Sequence, residues 1–238
     1  MAQLRIDIWS DIACPWCYVG KRRLEKALVD FPQRENVHIV WRAFELNPSA
    51  QRESHEGNYI ERLAKKYGTS ARDAEAMISR MADTARAEGL NFDFNSIRPG
   101  NTFDAHRLLH LALTQDLQNE LKERLLYAYF SEGEAIGDSE TLLRLAVDAG
   151  LKLEEVRSVL EGNAFAKEVQ QDEAEAQELG IHGVPFFVLA GRYAVSGAQP
   201  AEVLLQALEQ AQVAIEEPLP QYAEGAVGNR FRLSTSKI

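Results

Sequence analysis

Cysteine is almost missing from this chain. Of 238 residues only Cys14 and Cys17 carry thiols, so the disulfide framework that holds small secreted domains together is excluded. Long apolar runs are missing too: no stretch reaches the 18 or so apolar residues that would cross a bilayer. Basic residues are in deficit, 26 Lys and Arg against 36 Asp and Glu, for a formal net charge of −10. That balance argues against general nucleic-acid binding and against docking on anionic membranes. Met1-Ala2-Gln3 leads directly into an apolar alternation, with no basic segment and apolar core before it. The expectation is a protein without a secretory signal, working in the cytoplasm. No fixed-period repeat and no low-complexity segment is present. A hydrophobic content of 45% over this length suffices for one large domain, or for a domain carrying an inserted second one.

What is there begins with the two thiols themselves, spaced C-x-x-C in Asp11-Ile12-Ala13-Cys14-Pro15-Trp16-Cys17-Tyr18-Val19-Gly20. Before them Leu4, Ile6 and Ile8 alternate with Arg5 and Asp7, the period of a strand. After them Val19, Leu24, Ala27, Leu28 and Phe31 recur at helical spacing. The pair therefore sits where a strand ends and a helix begins, among unpaired backbone N–H groups and the positive end of the helix dipole. That field favours a thiolate, which makes Cys14 the expected nucleophile. Pro15 suits the first helical turn, where its missing N–H is no loss. Two other readings compete. His106 and His110, four apart on a helix, complete a zinc-like C-x-x-C…H-x-x-x-H, but the gap between the pairs far exceeds the finger pattern. Two buried, inert thiols are the other, which leaves Pro-Trp at a strand–helix junction unexplained. In a reducing compartment a lone C-x-x-C points to catalysis.

Further along, residues 36–44 are rich in β-branched and aromatic side chains and read as a second strand, parallel to the first across a helical crossover. A polar loop follows Glu45-Leu46-Asn47-Pro48. Residues 57–180 read as a series of short helices, with Gly68 as a C-cap, Ser70 and Asn163 as N-caps, and an irregular apolar link at 90–94. Strands return at 184–189 and 192–196 around an Ala190-Gly191 turn, and Pro200 starts a last apolar-faced helix. The Pro- and Gly-bearing tail reads as loosely held, with Phe231 and Leu233 its only docking candidates. Neither half has strands enough for a sheet alone, so the helical block is an insertion. The expected division is 1–56 with 181–214 as one discontinuous α/β domain, 57–180 as the helical insertion, and 215–238 as the tail.

This order resembles the thioredoxin fold with a large all-helical insertion, as in the DsbA family. Within it, Cys14-Pro15-Trp16-Cys17-Tyr18-Val19-Gly20 resembles the FrnE-like branch, related to 2-hydroxychromene-2-carboxylate isomerases and kappa-class glutathione transferases. Phe44-Glu45-Leu46-Asn47-Pro48, Asn101-Thr102-Phe103-Asp104-Ala105-His106-Arg107 and Gly183-Val184-Pro185-Phe186-Phe187 carry the likeness onward, over about residues 3 to 213. The resemblance implies a cis peptide between Val184 and Pro185 set against Cys14, leaving a backbone edge open to an extended peptide or to glutathione; an ordinary trans proline opening a strand is the alternative.

The implied activity is thiol–disulfide exchange on protein or glutathione disulfides, with Cys14 attacking and Cys17 resolving the mixed disulfide. Trp16 stands where the DsbA type has histidine, and an indole carries no positive charge, which implies a less oxidising pair. Trp16 then offers an apolar contact, or only covers the helix start. Asn101 and Thr102 are candidates to face the pocket, with capping the stronger role for Thr102. His106 and Arg107 are candidates to meet an acidic ligand such as a glutathione carboxylate, or else form a helix-surface pair. His182 either tunes Cys14 or is solvated, and Glu25 and Lys26 read as surface charges. No metal and no tightly bound cofactor is expected; glutathione is admitted as a co-substrate. Neither monomer nor homodimer is favoured. A glutathione-dependent isomerase or transferase acting on a small aromatic substrate is the runner-up, although in those relatives serine replaces the first cysteine. A redox-sensing switch is the third reading.

Overall fold

A computed structural model describes residues 3–52, 58–216 and 232–233. The first strand, β1 (Leu4–Ser10), buries Leu4, Ile6 and Ile8 completely while Arg5 between them stays exposed. At its far end Trp9 and Ser10 are both buried, because protein covers both faces there. Helix α1 (Pro15–Asp30) follows, then one turn of 3₁₀ helix at Arg34–Asn36, then β2 (Val37–Ala43), parallel to β1 from Leu4 opposite Val37 to Ser10 opposite Ala43.

The insertion comprises α2 (Tyr59–Tyr67), α3 (Ala71–Ala87), α4 (Phe103–Leu113), α5 (Gln118–Tyr127) prolonged by a π-helical turn at Ala128–Glu132, α6 (Ser139–Asp148), α7 (Leu153–Glu161) and α8 (Ala166–Glu178). Its boundaries follow local chemistry. Asn58 and Glu61 form a reciprocal capping box at the start of α2, and Gly68 ends it at φ +61°. Ser70 and Asp138 accept from the third backbone N–H of α3 and α6. Asn163 does not cap α8. That helix starts after Phe165, which sits at φ +61°, and Asn163 only lends its carbonyl to Ala166 N.

The chain then returns to the sheet. β3 (Phe186–Leu189) runs antiparallel to β1, with Phe187 opposite Ile8, and begins two residues later than the apolar run suggests. Pro185 brings no N–H to a ladder, and it lies with Val184 in the loop ahead of the strand. Ala190 and Gly191, both at positive φ, turn the chain into β4 (Tyr193–Ser196). Helix α9 (Ala201–Glu216) follows. Of the tail, Arg232–Leu233 form a two-residue strand, β5, parallel to β4; residues 217–231 and 234–238, Phe231 among them, lie outside the described residues. The mixed sheet has the order β2-β1-β3-β4-β5.

One face of the sheet is covered by α1 and α9, with Leu24, Ala27 and Phe31 meeting Leu204, Leu208 and Ala211 over Ile6, Ile8 and Phe187. On the other face Ala176 of α8 packs on Trp9 and Val188. The remaining helices close around a second core built on Leu108, Leu125 and Phe130, which Ile12, Tyr18 and Val19 of the C-x-x-C segment enter. The thiol segment is thus the joint between the two cores. No helix is long and apolar enough to cross a membrane among the described residues.

The insertion also finishes the edge of the sheet. Among the described residues β2 has no strand on its outer side. There the Gln118 carboxamide accepts from Trp41 N and donates to Trp41 O, both at 2.9 Å, as a neighbouring strand would. Asp172 of α8 accepts from Ala43 N at 2.9 Å, from Arg42 Nη1 at 2.6 Å and from His110 Nε2 at 2.9 Å. Its own carbonyl accepts from Trp9 Nε1 at 2.8 Å. One buried carboxylate thereby fastens α4 and α8 to β2.

Candidate active site

Cys14 is the N-cap of α1, in extended conformation at φ −101° and ψ 110°, and Pro15 occupies the first helical turn. No side chain caps this end, so the positive end of the helix dipole is left uncovered beside Cys14. Its Sγ lies 3.5 Å from the Val184 carbonyl oxygen, to which the thiol donates. The peptide bond between Val184 and Pro185 is cis. Cys14 and Pro185 are buried, Val184 is half-buried, and Trp16 is exposed at 45% on the outer side of the helix start. Cys17 is wholly buried, its N–H on the Cys14 carbonyl at 3.0 Å. Burial first, then its contact with Cys14, push the Cys17 thiol well up, and Lys122 pulls the other way.

Gly20 makes this approach between α1 and the proline loop fit. A Cβ at position 20 would stand 2.9 Å from Pro185 Cγ and 3.4 Å from Phe187 Cζ. The final glycine of the thiol segment is therefore steric.

Beneath the pair lies a set of buried polar groups. Asp11 accepts from Leu46 N at 2.8 Å and Ala13 N at 3.4 Å, and its Oδ1 is 3.5 Å from His106 Nε2. Burial pushes the Asp11 carboxyl up, but His106, the Leu46 amide and Lys122 together hold it below the usual range. Burial drives His106 down. His106 and Arg107 are not a helix-surface pair: both are buried, at 1% and 4% exposure. Arg107 is held by the carbonyls of Val159, Gly162 and Ala164 and by Asp104.

A cavity of about 420 Å³ opens beside Ala13, between the loop after β2 and the face of α2 that carries Tyr59 and Leu63. Asp11, Thr102 and Tyr129 form its floor, Leu46 its rim, and Lys66 its far side. Thr102 stands at the N-cap of α4 without capping it; Asn101 does that work, its Oδ1 accepting from Phe103 N at 2.9 Å. The Asn101 amide nitrogen donates to Glu45 at 3.1 Å and so ties α4 to the loop after β2. His182 is exposed. Lys26 pairs with Glu88, and Glu25 with Lys21 and Arg22. Among the described residues no group of His, Cys, Asp and Glu side chains is arranged to hold a metal.

Comparisons with known proteins now bear on this geometry. Residues 5–209 match the model of the DSBA-like thioredoxin domain. The chain belongs to the DsbA-like thioredoxin family. A crystal structure from Streptomyces coelicolor, described as a "probable DsbA oxidoreductase", is 46% identical, with 95% of this chain and 97% of that chain covered and a TM-score of 0.85. A Bacillus subtilis relative known as uncharacterized protein YwbO is 28% identical over 211 residues, 88% of this chain and 98% of its own length. A 2-hydroxychromene-2-carboxylate isomerase shares the fold alone, at 18% identity and a TM-score of 0.58, with 90% and 100% of the two chains covered. This protein is a DsbA-like oxidoreductase with its C-x-x-C pair at Cys14 and Cys17.

Three residues of this DsbA-like site escape a reading of the sequence. Lys122 is fully buried over the Trp41 ring, with no hydrogen-bond partner at Nζ among the described residues. Its signal was periodicity: Gln118, Lys122 and Leu125 recur on one helix face together with Leu121. Glu45 and Glu173 are the others. Glu45 is pushed up to about 7, first by burial and then by the charges of Glu173 and Asp11. The folded protein therefore holds a proton on Glu45 that the unfolded chain releases above its ordinary 4.5, and this contribution to stability is lost as pH climbs toward about 7. Glu45→Gln, which mimics the protonated form, is expected to be more stable than wild type by about 1–2 kcal/mol at pH 8, with the gap closing toward pH 5. Urea unfolding at the two pH values checks this; a gap independent of pH would contradict it.

Proposed function

We propose that this protein is a thiol–disulfide oxidoreductase of the FrnE-like branch, acting in the cytoplasm on protein or glutathione disulfides. The observation that carries the reading is the placing of Cys14 Sγ at the bare N-terminus of α1, 3.5 Å from the Val184 carbonyl, with Cys17 one turn behind. In the reducing direction the Cys14 thiolate attacks a substrate disulfide and expels one thiolate; Cys17 then displaces the second and closes the Cys14–Cys17 disulfide. In the oxidising direction a substrate thiolate attacks Cys14 of that disulfide and Cys17 leaves. Val184 and Pro185 hold the substrate backbone beside the sulfur, Trp16 and Leu46 give it an apolar rim, and the cavity beside Ala13 takes the flanking residues or the rest of a glutathione. Asn101 and Thr102 position that wall, and His106 fixes Asp11 beneath it. The branch is supported by the Pro-Trp pair and by Gly20, and the compartment by the scarcity of cysteine.

Reduction of insulin disulfides by three forms of the protein tests this. Cys14→Ser is expected to abolish turnover. Cys17→Ser is expected to lose turnover and accumulate mixed disulfides on Cys14, visible by mass spectrometry and cleared by dithiothreitol. Full activity of Cys17→Ser with a glutathione-dependent reaction would replace this reading by a transferase, and no turnover by the wild type would leave only a switch.

A further inference from the structure

We propose that a slot between Gly100 and Gly137 of the helical insertion, closed on the backbone carbonyl of Arg52, fixes the cavity wall against which a disulfide partner lies. The inference rests on the exchange reading above and names positions that set which partners it serves.

Residues 45–52 lead from β2 towards α2 and supply one side of the cavity beside Ala13, through Leu46, Asn47, Ser49, Ala50 and Gln51. This strip contains neither helix nor strand, only a turn closed by Ala50 N on the Asn47 carbonyl at 3.0 Å, and most of it is exposed. Such a strip keeps one path only where other parts of the chain hold it. Leu46 N donates to Asp11 at 2.8 Å and holds the near end. Asn101 holds the middle. Its side-chain nitrogen donates to Glu45 Oε1 at 3.1 Å and to the Pro48 carbonyl at 3.3 Å, and its backbone N–H donates to the Gln51 carbonyl at 2.9 Å.

The far end is held by shape. The Arg52 carbonyl enters between the two glycines so closely that a Cβ on either would run into its oxygen. A Cβ at Gly137 would also stand 2.8 Å from the Arg52 carbonyl carbon, and one at Gly100 would stand 3.1 Å from Gly137 Cα. Neither glycine has a positive φ, so no left-handed backbone calls for them; the room for the carbonyl does. They come from separate stretches of the insertion, ahead of α4 and ahead of α6. The Arg52 side chain reaches Ser139 Oγ at 3.3 Å and Asp104 Oδ2 at 3.2 Å. Those bonds are exposed and count for little. The carbonyl is the pin.

Both walls of the cavity are thus one stretch of chain divided at Arg52. The strip is in place before a partner arrives, while α2, beyond the pin, has no fully buried side chain and yields. A wall already ordered spares the partner the cost of ordering it. Gly100, Gly137 and Asn101 are positioning residues in this sense. Cys14, Val184 and Pro185 lie on other elements, so releasing the pin weakens the hold on flanking residues and leaves the sulfur chemistry alone.

Two disulfides separate these effects: hydroxyethyl disulfide, which has no flanking residues, and a pair of extended peptides joined through their cysteines. In Gly137→Ala the KM for the peptide disulfide is expected to rise about tenfold, with kcat and the rate on hydroxyethyl disulfide within about twofold of wild type. Native-state hydrogen exchange reads the pin without turnover. The Asn101 amide, bonded to the Gln51 carbonyl, is expected to exchange about tenfold faster in the variant, while amides in the middle of α4 keep the wild-type rate. Equal losses on both disulfides, or an unchanged KM beside a faster Asn101 amide, would overturn the proposal. So would an Asn101 amide at the wild-type rate, since the strip would then be held without the slot. Failure of the wild type to reduce either disulfide would instead defeat the exchange reading. Should Gly137→Ala not fold, Gly100→Ala, whose methyl meets the same oxygen, repeats both measurements.

Discussion

Asp172→Ala is expected to remove about 3–5 kcal/mol of folding free energy, a large part of what a domain of this size possesses. Its carboxylate is buried and receives three donors, Ala43 N, Arg42 Nη1 and His110 Nε2. Arg42 retains Asp7 at 2.8 Å, but Ala43 N and His110 Nε2 are stranded away from water. An unmade buried bond costs far more than a made one contributes. Burial alone would raise the Asp172 carboxyl, but His110, the Ala43 amide and Arg42 outweigh it and hold the group below its usual range. The wild type therefore gains from this carboxylate above about pH 4 and loses that gain as the medium becomes more acid. The alanine variant should lack that part of the acid sensitivity. Urea unfolding at pH 7 and at about pH 2 measures both effects; a difference below about 1 kcal/mol at pH 7 would show that water reaches the stranded groups.

Gly20 is the second position where a small change should act strongly. Alanine usually stabilises a helix interior by about 1 kcal/mol over glycine. Here the added methyl meets the Pro185 ring at 2.9 Å, and a ring in a packed loop cannot swing aside as a flexible chain end does. Gly20→Ala is expected to cost about 1–2 kcal/mol and Gly20→Val about 3 kcal/mol, the sign opposite to the propensity. Thiol exchange should fall with them, since the proline loop must leave its place beside Cys14. A more stable Gly20→Ala with unchanged exchange would mean that the loop has room to give.

What the sequence makes legible is local. Ser70 and Gly68 are read correctly because each cap and the backbone groups it serves lie within about one turn of each other. The alternation of β1, the proline after Cys14 and the Ala190-Gly191 turn belong to the same class. Reading fails where equivalent local chemistry is offered twice. Asn101 and Thr102 both suit the start of α4, and only the backbone path decides that Asn101 closes the turn. It fails again where a polar side chain finds its partner far along the chain. Gln118 pairs with Trp41 across 77 residues, Asp172 with Ala43 across 129, and Arg107 with Gly162 across 55. Helical periodicity puts these residues on a face without saying what that face meets. His106 and Arg107 read as contacts to an acidic ligand or as a helix-surface pair for that reason, while the fold uses both to brace its interior.

Helix α2 supplies one wall of the cavity beside Ala13, yet none of its side chains is fully buried. An element so lightly anchored gives way at small cost, whereas the buried floor of Asp11, Thr102 and Tyr129 does not. In the exchange proposed above, the bulk of the disulfide partner would then be governed by the work of deflecting one short helix.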